Sequence, residues 1–199
     1  MSDTADAITV AVEKAKESRL NAVVAVCVAL VATFMALCNV KDGNICQAMA
    51  QEQAKAVDQW SYFQAKGTKL NIAQVAIDEV TLMRDTASSL TPEQKKLYDD
   101  KIDGLTKQAA KYEKEKDDIK KEAEQHEAAY EELNLHDDQF DMAEALLSVG
   151  IALFGVTALT QKKWLLGVAM TFGAVGVVMG VAGFAKLNLH PDFLARWLG

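Results

Sequence analysis

The residues best suited to chemistry form an acidic group with one imidazole, just before the second long apolar run. Its members are Glu131, Glu132, His136, Asp137, Asp138, Asp141 and Glu144. Glu132 with His136, and Asp137 with Asp141, are four residues apart, so each pair shares one face of a helix. Oxygen and imidazole donors at that spacing can chelate a divalent ion. These two pairs are the metal-site candidates, although a solvated acidic helix end is the interpretation that we favour.

Glu144 differs from the rest of this group because it falls inside the second predicted membrane span if that span begins at Met142. A carboxylate in a membrane span is costly, and it usually faces a partner or a water path. With Asp141 it could form an acidic vestibule for cations. In the first turn of a helix, however, a carboxylate can reach water or interact favourably with the positive end of the helix dipole.

The densest aromatic cluster comprises Trp60, Tyr62, Phe63, Gln64 and Lys66. Such side chains can bind a partner helix or a ligand through stacking and cation–π contacts. The structural alternative, which we favour, is that the large rings fill a seam between two helices.

No pattern in the sequence predicts catalysis. There is no nucleophile with a base at credible spacing, no glycine-rich loop after a strand, and no CxxC pair. The cysteines Cys27, Cys38 and Cys46 lack the spacing of zinc or redox sites. The net charge is −7 and no basic patch is present, which argues against nucleic-acid binding. We therefore expect a protein that is not an enzyme and needs no cofactor.

Charge is segregated along the 199 residues. Charged residues are absent from three runs, at 20–40, 145–161 and 164–185, which approach or reach the length of about 20 residues that crosses a bilayer. We predict transmembrane helices over 20–40, 142–161 and 164–186. Residues 1–19 suit an amphipathic helix, and residues 187–199 an interfacial tail rich in anchoring side chains. The first run is too long for a cleaved signal peptide and predicts an anchor.

Residues 41–140 predict a long antiparallel, coiled-coil-like hairpin that turns near 90–92. Thr91 can cap the second arm, Pro92 suits its first turn, and Gln94 completes a capping box. Each arm carries apolar or small residues at steps of three and four. Either the arms are fully extended, or they break at Gly67 or Gly104 into a shorter bundle.

Two features predict self-association. The first arm carries more apolar residues than the thinner stripe of the second arm can cover. The third span has small residues that let helix backbones approach closely, with Gly173 in addition to the GxxxG pair Gly176 and Gly180. The expected partners are membrane lipids, further copies of the chain through the hairpin seam and the third span, and another membrane or periplasmic protein.

The distribution of basic residues gives an orientation. Lys14, Lys16, Arg19, Lys162 and Lys163 would share one side of the membrane. The positive-inside rule makes that side cytoplasmic, so the hairpin would project into the periplasm from a bacterial inner membrane.

The segment Asp58-Gln59-Trp60-Ser61-Tyr62-Phe63-Gln64-Ala65-Lys66 resembles part of the bacterial DUF4337 family of membrane proteins. So does the order of one span, a charged helical stretch, and two closely spaced spans after Ala-Glu-Ala-Leu at 143–146. The family pattern has Tyr where Phe63 stands here, so no role resting on a hydroxyl carries over to that position. The resemblance implies an architecture and assigns no activity.

The sequence therefore predicts an all-α integral membrane protein with three transmembrane helices and a hairpin between the first two. The function that this architecture favours is a homo-oligomeric scaffold or protein-interaction module. The alternative is a subunit of an oligomeric ion channel or transporter, with the acidic group as its vestibule.

Overall fold

The computed structural model describes residues 2–187 and Leu189; side chains are described except at 2–9, 11 and 18. It contains three helices, α1 (Ser2–Thr86), α2 (Pro92–Thr160) and α3 (Lys163–Phe184). No strand occurs in this part of the chain, which confirms the all-α prediction. Most of the predicted tail at 187–199 lies outside the described residues.

The helix α1 runs for 85 residues without interruption. The reason is in the sequence, because no proline precedes Pro92 and no glycine precedes Gly43. Residues 2–19, predicted as a separate amphipathic helix, are the first turns of α1, and no helix boundary separates them from the predicted span at 20–40. The helices also continue through Gly67 and Gly104, so neither arm breaks there.

Residues 87–91 connect α1 to α2, and the predicted capping box is confirmed. The Gln94 backbone N–H donates to Thr91 Oγ1 at 3.2 Å, and the Thr91 N–H donates to Gln94 Oε1 at 2.9 Å. These reciprocal bonds satisfy donors that a helix start leaves free. The local signal therefore fixes where the second arm begins.

The chain divides into two compact units. One comprises residues 1–48 and 132–199, and we name it the three-helix unit. The other, Met49–Glu131, we name the hairpin unit.

In the hairpin unit, the two arms are antiparallel. Contacts pair Trp60 with Glu127, Lys66 with Glu115 and Arg84 with Asp99, so one arm ascends as the other descends. The predicted seam residues are buried or half-buried on both arms. On α1 they are Ala56, Trp60, Phe63, Gly67, Leu70, Ala73, Ile77 and Val80, and on α2 Leu105, Ala109, Tyr112, Lys116, Ile119, Ala123, His126 and Tyr130.

In the three-helix unit, apolar segments of α1, α2 and α3 pack together. Val24, Phe154 and Ala169 form a buried cluster with one residue from each helix. Further along, the rings of Phe34 and Phe140 both pack edge-on against Phe184. All three helices of the described chain are long and apolar enough to cross a membrane.

A sharp turn joins α2 to α3. Gln161 adopts the left-handed conformation, with φ of 56°. Its side-chain amide donates to the Asn21 side-chain oxygen at 2.8 Å. The turn is thereby tied to the N-terminal part of α1, at one end of the three-helix unit.

Glycines on α3 allow close packing within this unit. A Cβ on Gly176 would lie 3.1 Å from the Leu147 backbone nitrogen and 2.8 Å from its Cγ. A Cβ on Gly180 would overlap Phe34 and Cys38. The glycine face of α3 is therefore filled by α1 and α2 of the same chain.

Gly176→Ala should destabilise the three-helix unit by about 1–3 kcal/mol, because the added methyl group must displace α2 backbone as well as a side chain. Gly167→Ala is the matched control, since a Cβ there meets nothing within 4 Å. Thermal unfolding of both variants in detergent, followed by circular dichroism, measures the difference. Equal melting temperatures would contradict this account of the packing.

Candidate functional site

The candidate site is an acidic cluster in the three-helix unit. Oxygen and sulfur atoms of Asp42, Cys46 and Asp137 all lie within 4.8 Å of one another. Asp42 and Cys46 are one turn apart on α1, and Asp137 comes from α2. The Cys46 thiol donates to Asp137 Oδ1 at 3.1 Å. Two carboxylates and a thiol thus converge on a volume that one ion or proton could occupy.

The charges of this cluster are poorly compensated. The Asp42 Oδ1 atom is buried and accepts no hydrogen bond from the described residues. Nor does any lysine or arginine among them form an ion pair with Asp42, Asp137 or Asp141. Since carboxylates that gather without cations repel one another, protonation or cation binding would relieve the cluster.

Burial and the neighbouring carboxylates change the acidity of these groups. Burial, then Asp137, raises the pKa of Asp42 to about 6. Burial, then Asp137 and Asp138, also raises the pKa of Asp141. The hydrogen bond to Asp137, then burial, raises the pKa of Cys46 to about 11. At neutral pH the thiol is therefore protonated, and a soft metal ion would first have to displace that proton.

The structure separates the predicted metal candidates. Asp137 belongs to the cluster, but the donor atoms that could share its ion come from Asp42 and Cys46, two residues that the sequence reasoning did not place there. Glu132 is exposed, and His136 is buried against Gln139. The predicted topology could have identified Asp42. If the first two predicted spans are antiparallel, residues that follow the first span, such as Asp42, lie beside residues that precede the second, such as Asp137.

Glu144, the predicted vestibule carboxylate, contacts Asn39 of α1. With the amide nitrogen of Asn39 turned towards it, the carboxylate accepts a hydrogen bond. This partner explains how a carboxylate is accommodated within an apolar stretch.

Gln139 has a structural role that the sequence did not reveal. The side chain is fully buried, and its amide nitrogen donates to the backbone oxygens of Leu187 and Leu189 at 2.7 and 2.8 Å. The amide oxygen faces His136 Nδ1 at 3.2 Å, so this ring nitrogen carries the proton. Gln139 therefore holds the chain that follows α3, and His136 in turn positions Gln139.

The predicted aromatic cluster lies in the hairpin unit and is organised around Lys66. This lysine is only 9% exposed and donates to Glu115 Oε2 at 2.5 Å. Its ammonium also lies over the rings of Tyr62 and Tyr112. The hydrogen bond from Lys66 lowers the pKa of Glu115, so the pair is charged at neutral pH. Gln64, by contrast, is exposed.

Trp60 and Phe63 pack edge-on, with ring centroids 5.4 Å apart. Lys116 lies over the Phe63 ring, and the Trp60 indole N–H donates to Glu127 at 2.7 Å. Trp60, Phe63 and Lys66 therefore lie in the seam between the arms, whereas Tyr62 is half-exposed, and Trp60 also borders an open groove.

Comparison with known proteins gives one family. The model described as "Domain of unknown function (DUF4337)" matches residues 20–186, which include all three predicted spans and the hairpin. No curated protein and no solved structure matches the sequence.

The acidic cluster predicts a pH-dependent stability. Because the folded state raises the pKa of Asp42 from 3.8 to about 6, ionisation of Asp42 destabilises the fold. This penalty is absent below both values, grows as the pH rises between them, and is complete above pH 6. Asp42→Asn should therefore raise the unfolding free energy by roughly 1 kcal/mol at alkaline pH, after allowance for solvent screening.

At acidic pH the same variant should match the wild type. Thermal unfolding at both pH values measures the effect, with Asp58→Asn, an exposed position on α1, as control. A stabilisation that is the same in acid and in alkali would show that ionisation of Asp42 is not its cause.

Proposed function

The chain belongs to the DUF4337 family, and we propose that it is a homo-oligomeric membrane scaffold whose hairpin unit binds further copies of itself. The main support is an apolar stripe on α1 that the second arm leaves uncovered. We name Ile72, Val75, Leu82 and Met83 the outer stripe. Ile72 is 64% exposed, Val75 56% and Leu82 64%.

The outer stripe differs from the ordinary scatter of exposed apolar residues. At about 100° per residue, its four members fall within one sector of the helix, away from the seam residues Ala73 and Ile77. The second arm exposes only Leu97 among its large apolar residues within the hairpin unit. An apolar row on one helix face is typical of a helix that packs on another helix.

A second copy is the partner that this row fits best. Ile72, Val75 and Leu82 are separated by three and seven residues, which are heptad spacings, and the exposed Glu79 occupies the position between Val75 and Leu82. The same row on another copy can pack against it about a two-fold axis. Polar residues such as Lys69 and Asp78 flank the row, as expected at the edge of such an interface. This self-association needs no catalytic group, and we propose a non-enzymatic role.

The glycine face of the third span has less support as an oligomer contact. Gly173, Gly176 and Gly180 are buried within the chain itself, and a Cβ on the latter two would overlap neighbouring residues. The proposal therefore rests on the hairpin unit.

The channel alternative is also less well supported. Hydroxyls within the predicted spans bond to their own helices, as Thr157 does to Leu153 and Thr171 to Gly167. Ser148 contacts the sulfur of Met35. The described spans therefore offer no row of free polar groups to line a pore.

For location, we propose a bacterial inner membrane with a cytoplasmic N-terminus. The hydrogen bond between Gln161 and Asn21 brings the basic pair Lys162 and Lys163 to the same end of the three-helix unit as Arg19. This grouping of positive charge supports a cytoplasmic assignment for that end.

The oligomer can be tested with a double variant. Ile72→Glu with Val75→Glu places charges in the outer stripe, so native mass spectrometry in mild detergent should show the wild type as an oligomer and the variant as a monomer. Gln74→Glu is the matched control, because this exposed residue lies on another side of the same helical turn. A monomeric wild type would overturn the proposal, and so would a double variant that still forms the full oligomer.

Orientation can be tested by thiol labelling. Cys46 is a poor probe because its pKa is raised to about 11, which leaves far less reactive thiolate than an ordinary cysteine has, so Ser88→Cys in the connection is used in a Cys46→Ser background. A membrane-impermeant maleimide should label Cys at position 88 on intact spheroplasts. Lys162→Cys in the same background should be labelled only after lysis. The reverse pattern would place the hairpin in the cytoplasm.

A further inference from the structure

A groove of about 530 Å³ opens beside Trp60 in the hairpin unit. Its walls include Gln53, Ala56 and Trp60 from α1, and Glu127, Tyr130 and Glu131 from α2. The groove therefore combines apolar surface, aromatic rings and carboxylates, which is a composition suited to a ligand with both apolar and charged parts.

The two carboxylates of the groove, Glu127 and Glu131, lack a basic partner within the part of the chain that the structure describes. Glu127 and Glu131 are four residues apart on α2, and like charges at this spacing destabilise a helix. Glu127 accepts one hydrogen bond, from the Trp60 indole N–H to Oε1. The other carboxylate oxygen of Glu127 takes no part in this bond. Among the described residues, neither carboxylate forms an ion pair.

Elsewhere on the second arm, carboxylates form ion pairs with lysines. Lysines pair with carboxylates at Lys107–Asp103, Lys111–Glu115 and Lys120–Glu124. From Glu122 to Gln161, however, the sequence contains no lysine or arginine. The compensating charge that this arm supplies elsewhere is therefore missing at the groove.

The aromatic rings of the hairpin unit also differ in whether a lysine lies over them. Lysines of the chain lie over the rings of Tyr62, Tyr112 and Phe63. Within the described part of the chain no such contact reaches Trp60 or Tyr130, the rings that line the groove. Tryptophan is the side chain that attracts a cation most strongly through its ring.

We propose that this groove binds a basic amphipathic helix of a partner protein, with an arginine or lysine placed between Trp60, Glu127 and Glu131. The carboxylates would accept charge-assisted hydrogen bonds, and the indole would stack on the cationic group. Ala56 and the exposed Val57 supply apolar contacts for the aliphatic stem and for the next turn of the partner helix. This goes beyond self-association, because it names a second partner class and uses a different surface from the outer stripe.

The test uses the full-length protein in a non-ionic detergent. The probe is a fluorescently labelled synthetic helix of leucine, alanine and arginine, and fluorescence anisotropy reports its binding. We expect saturable binding. Glu131→Gln should raise the dissociation constant about tenfold, which corresponds to roughly 1.4 kcal/mol for one lost charge-assisted contact.

The matched control is Glu113→Gln, which removes the same charge from an exposed position on the same arm. It should leave the dissociation constant within about twofold, since a screened surface charge contributes little. An equal loss in both variants would mean general attraction to an acidic surface and would overturn the proposal. So would the absence of saturable binding.

Two further measurements separate the remaining outcomes. A probe with glutamine in place of arginine should not bind. If it binds as tightly as the arginine probe, the groove makes apolar contacts without recognising a cation, and the proposal is wrong. Trp60→Phe keeps an aromatic ring but loses the hydrogen bond to Glu127, so it should weaken binding while circular dichroism shows the helix content unchanged. Wild-type affinity in this variant would remove Trp60 from the site.

Native mass spectrometry of Glu131→Gln keeps this proposal separate from the oligomer. We expect the same assembly as the wild type, because Glu131 lies outside the outer stripe. Loss of peptide binding with an intact oligomer supports the groove, whereas a dissociated oligomer would show that Glu131 acts through assembly and would contradict it.

Discussion

The packing of the three-helix unit depends on how closely helix backbones can approach one another. A Cβ on Gly150 would lie 3.2 Å from the backbone nitrogen of Gly173, and one on Gly176 would meet Leu147. At these positions α2 and α3 are in near contact through their main chains. Small residues permit this distance, and dispersion between the packed atoms stabilises the unit. The larger rings of Phe34, Phe140 and Phe184 fill the space beyond.

The hairpin unit is held by a different balance of interactions. Its seam is thin, with small residues such as Ala73, Ala109 and Ala123 at its buried positions. Polar contacts add specificity across it, because Lys66 is fixed between two tyrosines and Glu115, and Gln59 donates to Glu122. A seam of this kind sets the register of the two arms while leaving apolar groups on the outside.

Uncompensated negative charge recurs in both units. In the three-helix unit, Asp42 and Asp137 lie together with no lysine or arginine paired to them among the described residues. In the hairpin unit, Glu127 and Glu131 border an aromatic groove. The α2 members of both places, Asp137 in the first and Glu127 and Glu131 in the second, lie in the stretch after Lys121 and before Lys162, which contains no lysine or arginine. The two places differ in chemistry, since the first combines carboxylates with a thiol and the second combines them with aromatic rings.

The sequence by itself determined the helices, the turn and the residues of the hairpin seam. It could do so because these depend on local properties: the scarcity of proline and glycine, the Thr91–Gln94 capping box, and the three- and four-residue spacing of the seam. The segregation of charge likewise marks three runs with the composition of membrane spans.

Only the tertiary structure decided which residues meet across the helices. The sequence paired Glu132 with His136 and Asp137 with Asp141, because only neighbours on one helix can be read from spacing. Packing brought Asp42 and Cys46 to Asp137 instead, and turned His136 towards Gln139. It also buried the glycine face of α3 within the chain. Rotation of each helix about its own axis decides such contacts, and that rotation is set by the fit of all three helices together, which no single segment encodes.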